Sequence, residues 1–176
     1  MCIRDRYSSG PRNAIKSTVV NYDWKNFQIL APALQNLKKY YKPKKLILIG
    51  HSGGAYQGGT IHGKVPGLVD INILISCPCD WEIRKKLSNG KKWETKSQLK
   101  ELKKNSPSFN YKDIDLKSLN ILIVGKDDKN TAPGVSKYYY DLLKKKKLQV
   151  KLHIIDGGHG LRSMATIGSI IKEYIN

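Results

Sequence analysis

A serine that could act as a nucleophile follows the first long apolar run of the chain. The run 46–49 leads into Gly50-His51-Ser52-Gly53-Gly54, which fits the pattern Gly-x-Ser-x-Gly. In this pattern the serine sits on a strained strand-to-helix turn, and small neighbours let its hydroxyl stand clear of the sheet. Glycine-rich turns after a strand also cradle phosphate groups or merely turn the chain, so the pentapeptide alone leaves these alternatives open.

A carboxylate and an imidazole follow two later apolar runs. Asp128 comes after the run 121–124, and His159 comes after the run 149–155. A serine hydroxyl is a weak nucleophile unless a base takes its proton, and an acid must hold that base in the correct tautomer. Because ligands collect at the carboxyl ends of parallel strands, we expect Ser52, Asp128 and His159 to meet at one edge of a sheet.

The alternation of apolar runs and amphipathic segments predicts the elements that position these side chains. We expect strands at 17–22, 46–49, 69–76, 120–124 and 149–155, a loop at 106–116, and helices at 27–41, 53–61, 80–104 (broken at Asn89-Gly90), 134–147 and 164–175. Gly58 and Gly59 would let the second helix pack closely on the sheet. The pattern predicts a single α/β domain over residues 7–176, with a mainly parallel sheet and helices on both faces.

The segment 80–118 is a candidate cap over the carboxyl ends of the strands. Its large apolar side chains are Trp81 and Trp93, which we expect to contribute to substrate binding. An ordinary crossover with an enlarged surface helix explains the same segment, and the sequence does not choose between the two.

From residue 19 to the C-terminus, the chain resembles the catalytic half of the α/β-hydrolases, and most of all their prolyl oligopeptidase and dienelactone hydrolase branches. Besides GHSGG, the segments SPSFNYKDIDLKSLNILIVGKDDKNTAPGVSKYYYDLL and LQVKLHIIDGGHG are similar to the segments that carry the acid and the histidine in those enzymes. The order Ser…Asp…His is also the order of that superfamily.

The resemblance implies a serine hydrolase that cleaves an ester, thioester or peptide bond through an acyl-enzyme, without a metal or a cofactor. Ser52 would be the nucleophile, His159 the general base and acid, and Asp128 the acid that orients His159, with Asp127 as its rival. His51 would support the site from beside the serine, and Asp156 would cap the turn before His159. No role is predicted for the other two histidines, His62 and His153.

The oxyanion hole is incomplete in the sequence. One donor would be the backbone N–H of Gly53, while the second normally comes from a loop after an earlier strand. No His-Gly signature precedes residue 19, and Ser8-Ser9-Gly10-Pro11 could be a remnant of that loop. We therefore expect the native N-terminus to be missing and residues 1–6 to be a non-native leader. A non-catalytic or incomplete member of the fold is the alternative.

The net charge of +18 raises the question of a nucleic-acid partner. Lysine supplies 27 of the 32 basic residues, scattered over predicted helix surfaces and loops, whereas readers of nucleic acids rely more on arginine. A small-molecule ester or a peptide is therefore the expected partner, and a basic nucleic-acid binder is the competing hypothesis.

The cysteines and the opening residues bear on the compartment. Cys77 and Cys79 are separated only by Pro78, a spacing that does not favour a bond between them, so we expect buried free thiols in a reducing cytoplasm. The charged opening MCIRDR lacks the apolar stretch of a signal peptide, and no apolar run approaches the length of a membrane span.

Overall fold

The computed structural model of the chain describes residues 2–3, 24–87, 96–160 and 163–175. The strands are β1 (Cys2–Ile3), β2 (Ile47–His51), β3 (Ile71–Ile75), β4 (Leu119–Gly125) and β5 (Gln149–Ile155). The helices are α1 (Trp24–Tyr41), α2 (Gly53–Lys64), α3 (Trp81–Leu87), α4 (Lys96–Lys104), α5 (Pro107–Asn110), α6 (Pro133–Lys145) and α7 (Met164–Ile175), with a 3-10 turn at Tyr111–Asp113. No helix in these ranges is both long and apolar enough to cross a membrane.

The five strands form one parallel sheet in the order β1-β2-β3-β4-β5. Strands β2 to β5 correspond to the four central apolar runs, and β3 is buried along its whole length. At one edge, β1 pairs with β2 through Cys2 opposite Ile49. The strand predicted at 17–22 lies outside the described residues, as does the remnant loop predicted at 8–11.

The two faces of the sheet are covered by different helices. Isoleucines of β3 and β4 such as Ile73 and Ile121 point toward α7, where they cluster with Ile167 and Ile170. The alternate residues, such as Leu74 and Leu122, pack against α2 and α6 on the opposite face. Because successive side chains of a strand point to opposite faces, apolar residues at every position require cover on both sides. The predicted α/β class with helices on both faces is confirmed.

The segment predicted as a loop at 106–116 is partly helical. Helix α5 begins with Pro107 at its first position, where the missing N–H of proline costs nothing, and the 3-10 turn follows it directly. This part of the chain packs on α2, where a Cβ added to Gly59 would lie 2.6 Å from the Pro107 side chain. At Gly58 the nearest sheet atom would lie at an ordinary 3.4 Å. The close approach at Gly59 is therefore toward α5 rather than toward the sheet.

The prediction of free thiols is wrong in this structure, because Cys77 and Cys79 form a disulfide. The two Cα atoms are 5.0 Å apart, within the usual range for a disulfide, so the turn through Pro78 brings the side chains together despite the short separation. Both cysteines are fully buried beneath α6, where they belong to the apolar cluster that also contains Tyr139.

Candidate active site

Ser52 lies on the turn between β2 and α2 and adopts a backbone conformation that side chains rarely take. Its φ of 53° and ψ of −116° place it in a strained region, and its N–H donates to the Ile75 carbonyl at 2.9 Å. A Cβ at Gly50 would collide with the backbone carbonyl of Gly54. The glycine before the serine is therefore required by the close approach of the strand to the first turn of α2.

His159 follows β5 and reaches Ser52 across the end of the sheet. Its Nε2 lies 2.9 Å from the Ser52 Oγ, although 107 residues separate them in sequence. Gly125, at the end of β4, allows the loop of His159 to approach, because a Cβ there would collide with the Gly157 carbonyl. About a quarter of the His159 side chain is exposed, so the imidazole borders on solvent.

Asp128 completes a hydrogen-bonded chain of three side chains. Its Oδ2 lies 2.9 Å from His159 Nδ1, and its side chain is fully buried. The other oxygen, Oδ1, accepts hydrogen bonds from the backbone N–H groups of Asn130 at 2.9 Å and Thr131 at 2.7 Å. Asp127 is exposed and shows no such contact, while its N–H donates to the Gly157 carbonyl.

The surroundings of Asp128 keep its carboxyl group ionised. Burial alone raises the pKa of Asp128, but hydrogen bonds from His159, the Thr131 N–H and the Ser76 hydroxyl outweigh it, and the pKa lies below its ordinary value. A carboxylate can only accept, so His159 Nδ1 carries the proton in this assignment and Nε2 is left to accept from the Ser52 hydroxyl. The arrangement can therefore move the serine proton onto the imidazole.

His51 holds the loop that carries His159. Its Nε2 donates to the His159 backbone carbonyl at 2.8 Å, and the two rings lie 5.2 Å apart between centroids. The side chain thus supports the histidine loop from the end of β2. Ser76, which no sequence pattern distinguishes, lies at the end of β3 with a φ of 49° and contacts the Asp128 carboxylate.

Gly53 begins α2, so its N–H is one of the first-turn groups that have no partner within the helix. Such a group is available to an anion that develops beside the Ser52 hydroxyl. The segment predicted to give a second donor, Ser8-Ser9-Gly10-Pro11, lies outside the described residues.

Trp81 lies at the start of α3 and is only 4% exposed. Its ring meets the Tyr56 ring edge-on at 6.2 Å between centroids. It lines an open groove of about 700 Å³ together with Glu82, Lys85, Lys86, Leu99, Lys100 and Lys103. Trp93 lies outside the described residues.

Three other polar residues considered from the sequence, Asp156, His153 and His62, have partners of their own. The Asp156 carboxylate pairs with Lys126 at 2.8 Å, and this contact lowers the pKa of Asp156. His153 bonds the Tyr174 hydroxyl at 3.0 Å on the α7 face. His62 is buried in α2 beside Ser118. Within the described parts of the chain, no group of three or more His, Cys, Asp or Glu side chains could hold a metal ion.

A family model described as the prolyl oligopeptidase family matches residues 5–174, which is nearly the whole chain. The chain belongs to the prolyl oligopeptidase family. Its sheet, its elbow and its covering helices are those of the α/β-hydrolase fold, which solved structures also show. No curated protein sequence matches the chain significantly.

Several solved structures of peptidases are similar to this family member in fold. An acylaminoacyl peptidase in complex with Z-Gly-Gly-Phe-chloromethyl ketone is 18% identical with a TM-score of 0.68, over 84% of this chain and 26% of that one. Dipeptidyl peptidase 4 of Porphyromonas gingivalis is 14% identical with a TM-score of 0.68, over 84% and 22%. A puromycin-hydrolyzing peptidase of Mycobacterium tuberculosis is 17% identical with a TM-score of 0.65, over 80% and 22%. The chain thus spans about a quarter of the length of these proteins or less.

Proposed function

We propose that this prolyl oligopeptidase-family chain is a serine hydrolase that cleaves peptide bonds, with esters and thioesters as alternative substrates, through an acyl-enzyme. The observation that carries the proposal is the hydrogen-bonded chain from Ser52 Oγ through His159 to Asp128. Family membership supports hydrolase chemistry in general, and the side-chain geometry supports these three residues in particular.

The proposed reaction has two halves. In the first, Ser52 Oγ bonds to the carbonyl carbon, its proton passes to His159 Nε2, and His159 returns that proton to the leaving group as the scissile bond breaks. In the second, water attacks the acyl-enzyme and His159 takes and returns a proton in the same way, which frees the acid and restores Ser52. Asp128 stays ionised and keeps the imidazole in the orientation that both halves need.

The backbone N–H of Gly53 is the proposed donor to the oxyanion. One such donor contributes about 2.7–4 kcal/mol to transition-state stabilisation, so a second donor from outside residues 24–175 would matter as much. Catalysis by the chain on its own is therefore part of the proposal.

The proposal extends to the substrate and the compartment. The neighbouring structures include acylaminoacyl and dipeptidyl peptidases, which makes a short peptide the first candidate substrate. Trp81, with 4% of its surface exposed, would offer only a small part of its ring, and Trp93 would have to supply more. We propose the cytoplasm as the compartment; the Cys77–Cys79 disulfide, which is typical of oxidising compartments, argues against this part of the proposal.

Labelling with a fluorophosphonate probe tests the proposed function. Such a probe reacts with a serine only when a base activates it, so we expect labelling of the native chain and none of Ser52→Ala or of denatured protein. The matched pair Asp128→Asn and Asp127→Asn tests the assignment of the acid. Asp128→Asn should lose labelling by several orders of magnitude, since the wrong tautomer of the histidine is then favoured, and Asp127→Asn should label like the wild type. A native chain that fails to label beside a reactive control hydrolase would refute the proposal.

A further inference from the structure

A buried arginine of helix α3 binds the loop that carries Asp128. Arg84 is 8% exposed, and its guanidinium makes two hydrogen bonds to one residue, Asn130. Its Nη2 donates to Asn130 Oδ1 at 2.6 Å, and its Nε donates to the Asn130 backbone carbonyl at 3.1 Å. The two residues are 46 positions apart, so these bonds join the segment after β3 to the loop after β4.

Asn130 in turn donates a hydrogen bond to the Asp128 carboxylate. The N–H of Asn130 donates to Asp128 Oδ1 at 2.9 Å, and Oδ2 of the same carboxylate faces His159 Nδ1 at 2.9 Å. The Asn130 carbonyl that Arg84 Nε binds shares a peptide unit with the Thr131 N–H, which donates to the same Oδ1 at 2.7 Å. Arg84 therefore holds Asn130 and the peptide unit after it, whose two N–H groups bind Oδ1, while Oδ2 faces the imidazole. We propose that Arg84 is a positioning residue that keeps Asp128 in register with His159; this inference rests on the proposed function.

The position of Arg84 is fixed by its own surroundings. The guanidinium carbon lies 4.6 Å from the centre of the Trp81 ring, in cation–π contact. The backbone N–H of Arg84 donates to the Asp80 carbonyl at 3.0 Å. The Asp80 carboxylate caps α3 through the Ile83 N–H at 2.8 Å and also accepts from the Ser108 hydroxyl at 2.7 Å. These contacts fix the first turn of α3. The Arg84 side chain is therefore already oriented toward Asn130 before any substrate binds.

The chemistry of the contact explains why an arginine stands here. Its planar fork presents donors at a fixed spacing that match the two oxygens of Asn130, which the single ammonium of a lysine cannot do. Among the described residues no carboxylate lies within ion-pair distance of Arg84. Burying a cation without a carboxylate partner costs free energy, which the two hydrogen bonds to Asn130 and the contact with the Trp81 ring offset in part.

The rate of fluorophosphonate labelling at Ser52 tests the inference. A small displacement of a positioning group costs up to about 100-fold in rate, so we expect Arg84→Ala to label about 10- to 100-fold more slowly than wild type. Arg84→Lys, which can make only one of the two bonds, should fall between them. Lys129→Ala is the matched control, because it removes the same charge from an exposed side chain of the same loop and should label like the wild type.

Chemical rescue separates positioning from a general structural role. Guanidinium ion, added far below the unfolding transition, should refill the space in Arg84→Ala and raise its labelling rate several-fold, whereas sodium chloride of equal ionic strength should not. Neither the wild type nor Lys129→Ala should respond. If Arg84→Ala does not fold, Arg84→Lys and Asn130→Ala are used instead. The fold-reduction in labelling rate of the double variant Arg84→Lys/Asn130→Ala should then be smaller than the product of the two single reductions.

The outcomes distinguish this inference from the proposed function. If the wild type labels and Arg84→Ala labels equally fast, or if a slowed Arg84→Ala gains nothing from guanidinium, the positioning role is overturned and the proposed function stands. Losses in Arg84→Lys and Asn130→Ala that multiply without interaction would overturn it as well. If the wild type itself does not label at Ser52, the proposed function fails first.

Discussion

At the scale of single residues, His159 and His62 differ in exposure and in hydrogen-bond partners, and this difference decides what each can do. His159 is partly exposed and has a partner at both ring nitrogens, Asp128 at Nδ1 and Ser52 at Nε2. His62 is 1% exposed, and only its Nε2 has a partner, Ser118, while its Nδ1 has none among the described residues. The first can exchange protons with a substrate, whereas the second is an internal group of α2.

His62 should make the chain sensitive to acid. Burial lowers its pKa from 6.5 to about 4, against weaker opposing effects of Asp115 and Asp70. Between these pH values the unfolded chain binds a proton at His62 that the folded chain excludes. The free energy of unfolding should therefore fall as the pH drops from 6.5 to 4, by up to about 1.4 kcal/mol per pH unit from this residue.

Chemical denaturation of the wild type and of His62→Gln across this pH range measures the effect. The difference between the two stability curves should grow in favour of the variant as the pH falls, because the contributions of the other groups cancel. Parallel curves for the wild type and His62→Gln would show that His62 does not titrate in this way.

The sequence allowed Ser52, Asp128 and His159 to be selected because each follows an apolar run at the same end of a strand. The same reasoning could not find Arg84 or Ser76, since an arginine in a polar helix and a serine at a strand end carry no distinguishing pattern. Their contacts depend on how α3 and the end of β3 face the loop after β4. The bond between Cys77 and Cys79 was missed for a related reason, because it depends on a local turn that spacing alone does not reveal.

At the scale of elements, the elbow between β2 and α2 depends on a glycine without a side chain. Replacing Gly50 by alanine would push the new Cβ into the Gly54 carbonyl, which only a backbone shift can relieve. We expect Gly50→Ala to lower the free energy of unfolding by about 1–3 kcal/mol and to slow labelling of Ser52.

Gly168 offers a matched control for that change. It lies inside α7, and no described atom would come within 4 Å of an added Cβ. Gly168→Ala should therefore raise the free energy of unfolding by about 0.5–1 kcal/mol, as expected when alanine replaces glycine within a helix. Denaturation of both variants decides the matter, and a Gly50→Ala chain as stable as the wild type would contradict the steric explanation.

Periodicity predicted the central strands and the main helices well, because each buries a regular set of apolar residues against the sheet. The boundaries of β5 and α7 agree with the prediction. The segment 106–116 was harder, since its helical turns are only a few residues long and depend on packing against Gly59 and Gly63 of α2. Short elements of this kind follow from tertiary contacts rather than from a repeating pattern.

At the scale of the whole molecule, the described residues hold the three side chains proposed as catalytic and one proposed oxyanion donor. The matched part of this chain covers only 26%, 22% and 22% of the three solved peptidases of similar fold. Elements that would enclose a substrate and supply a second donor can lie outside residues 24–175. The +18 net charge does not by itself indicate a nucleic-acid partner, because lysine supplies 27 of the 32 basic residues and readers of nucleic acids rely more on arginine.

Detection of an acyl-enzyme on Ser52 tests the proposed chemistry most directly. The chain can be mixed with an activated ester and quenched in acid during turnover. Mass spectrometry of the intact protein then measures the added mass, and peptide mapping after digestion locates the modified residue. We expect the mass to rise by one acyl group, carried on Ser52, with no such adduct in Ser52→Ala or His159→Ala. A wild-type chain that carries the acyl group on another residue, or a Ser52→Ala chain that hydrolyses the ester as fast as the wild type, would contradict the assignment of Ser52 as the nucleophile.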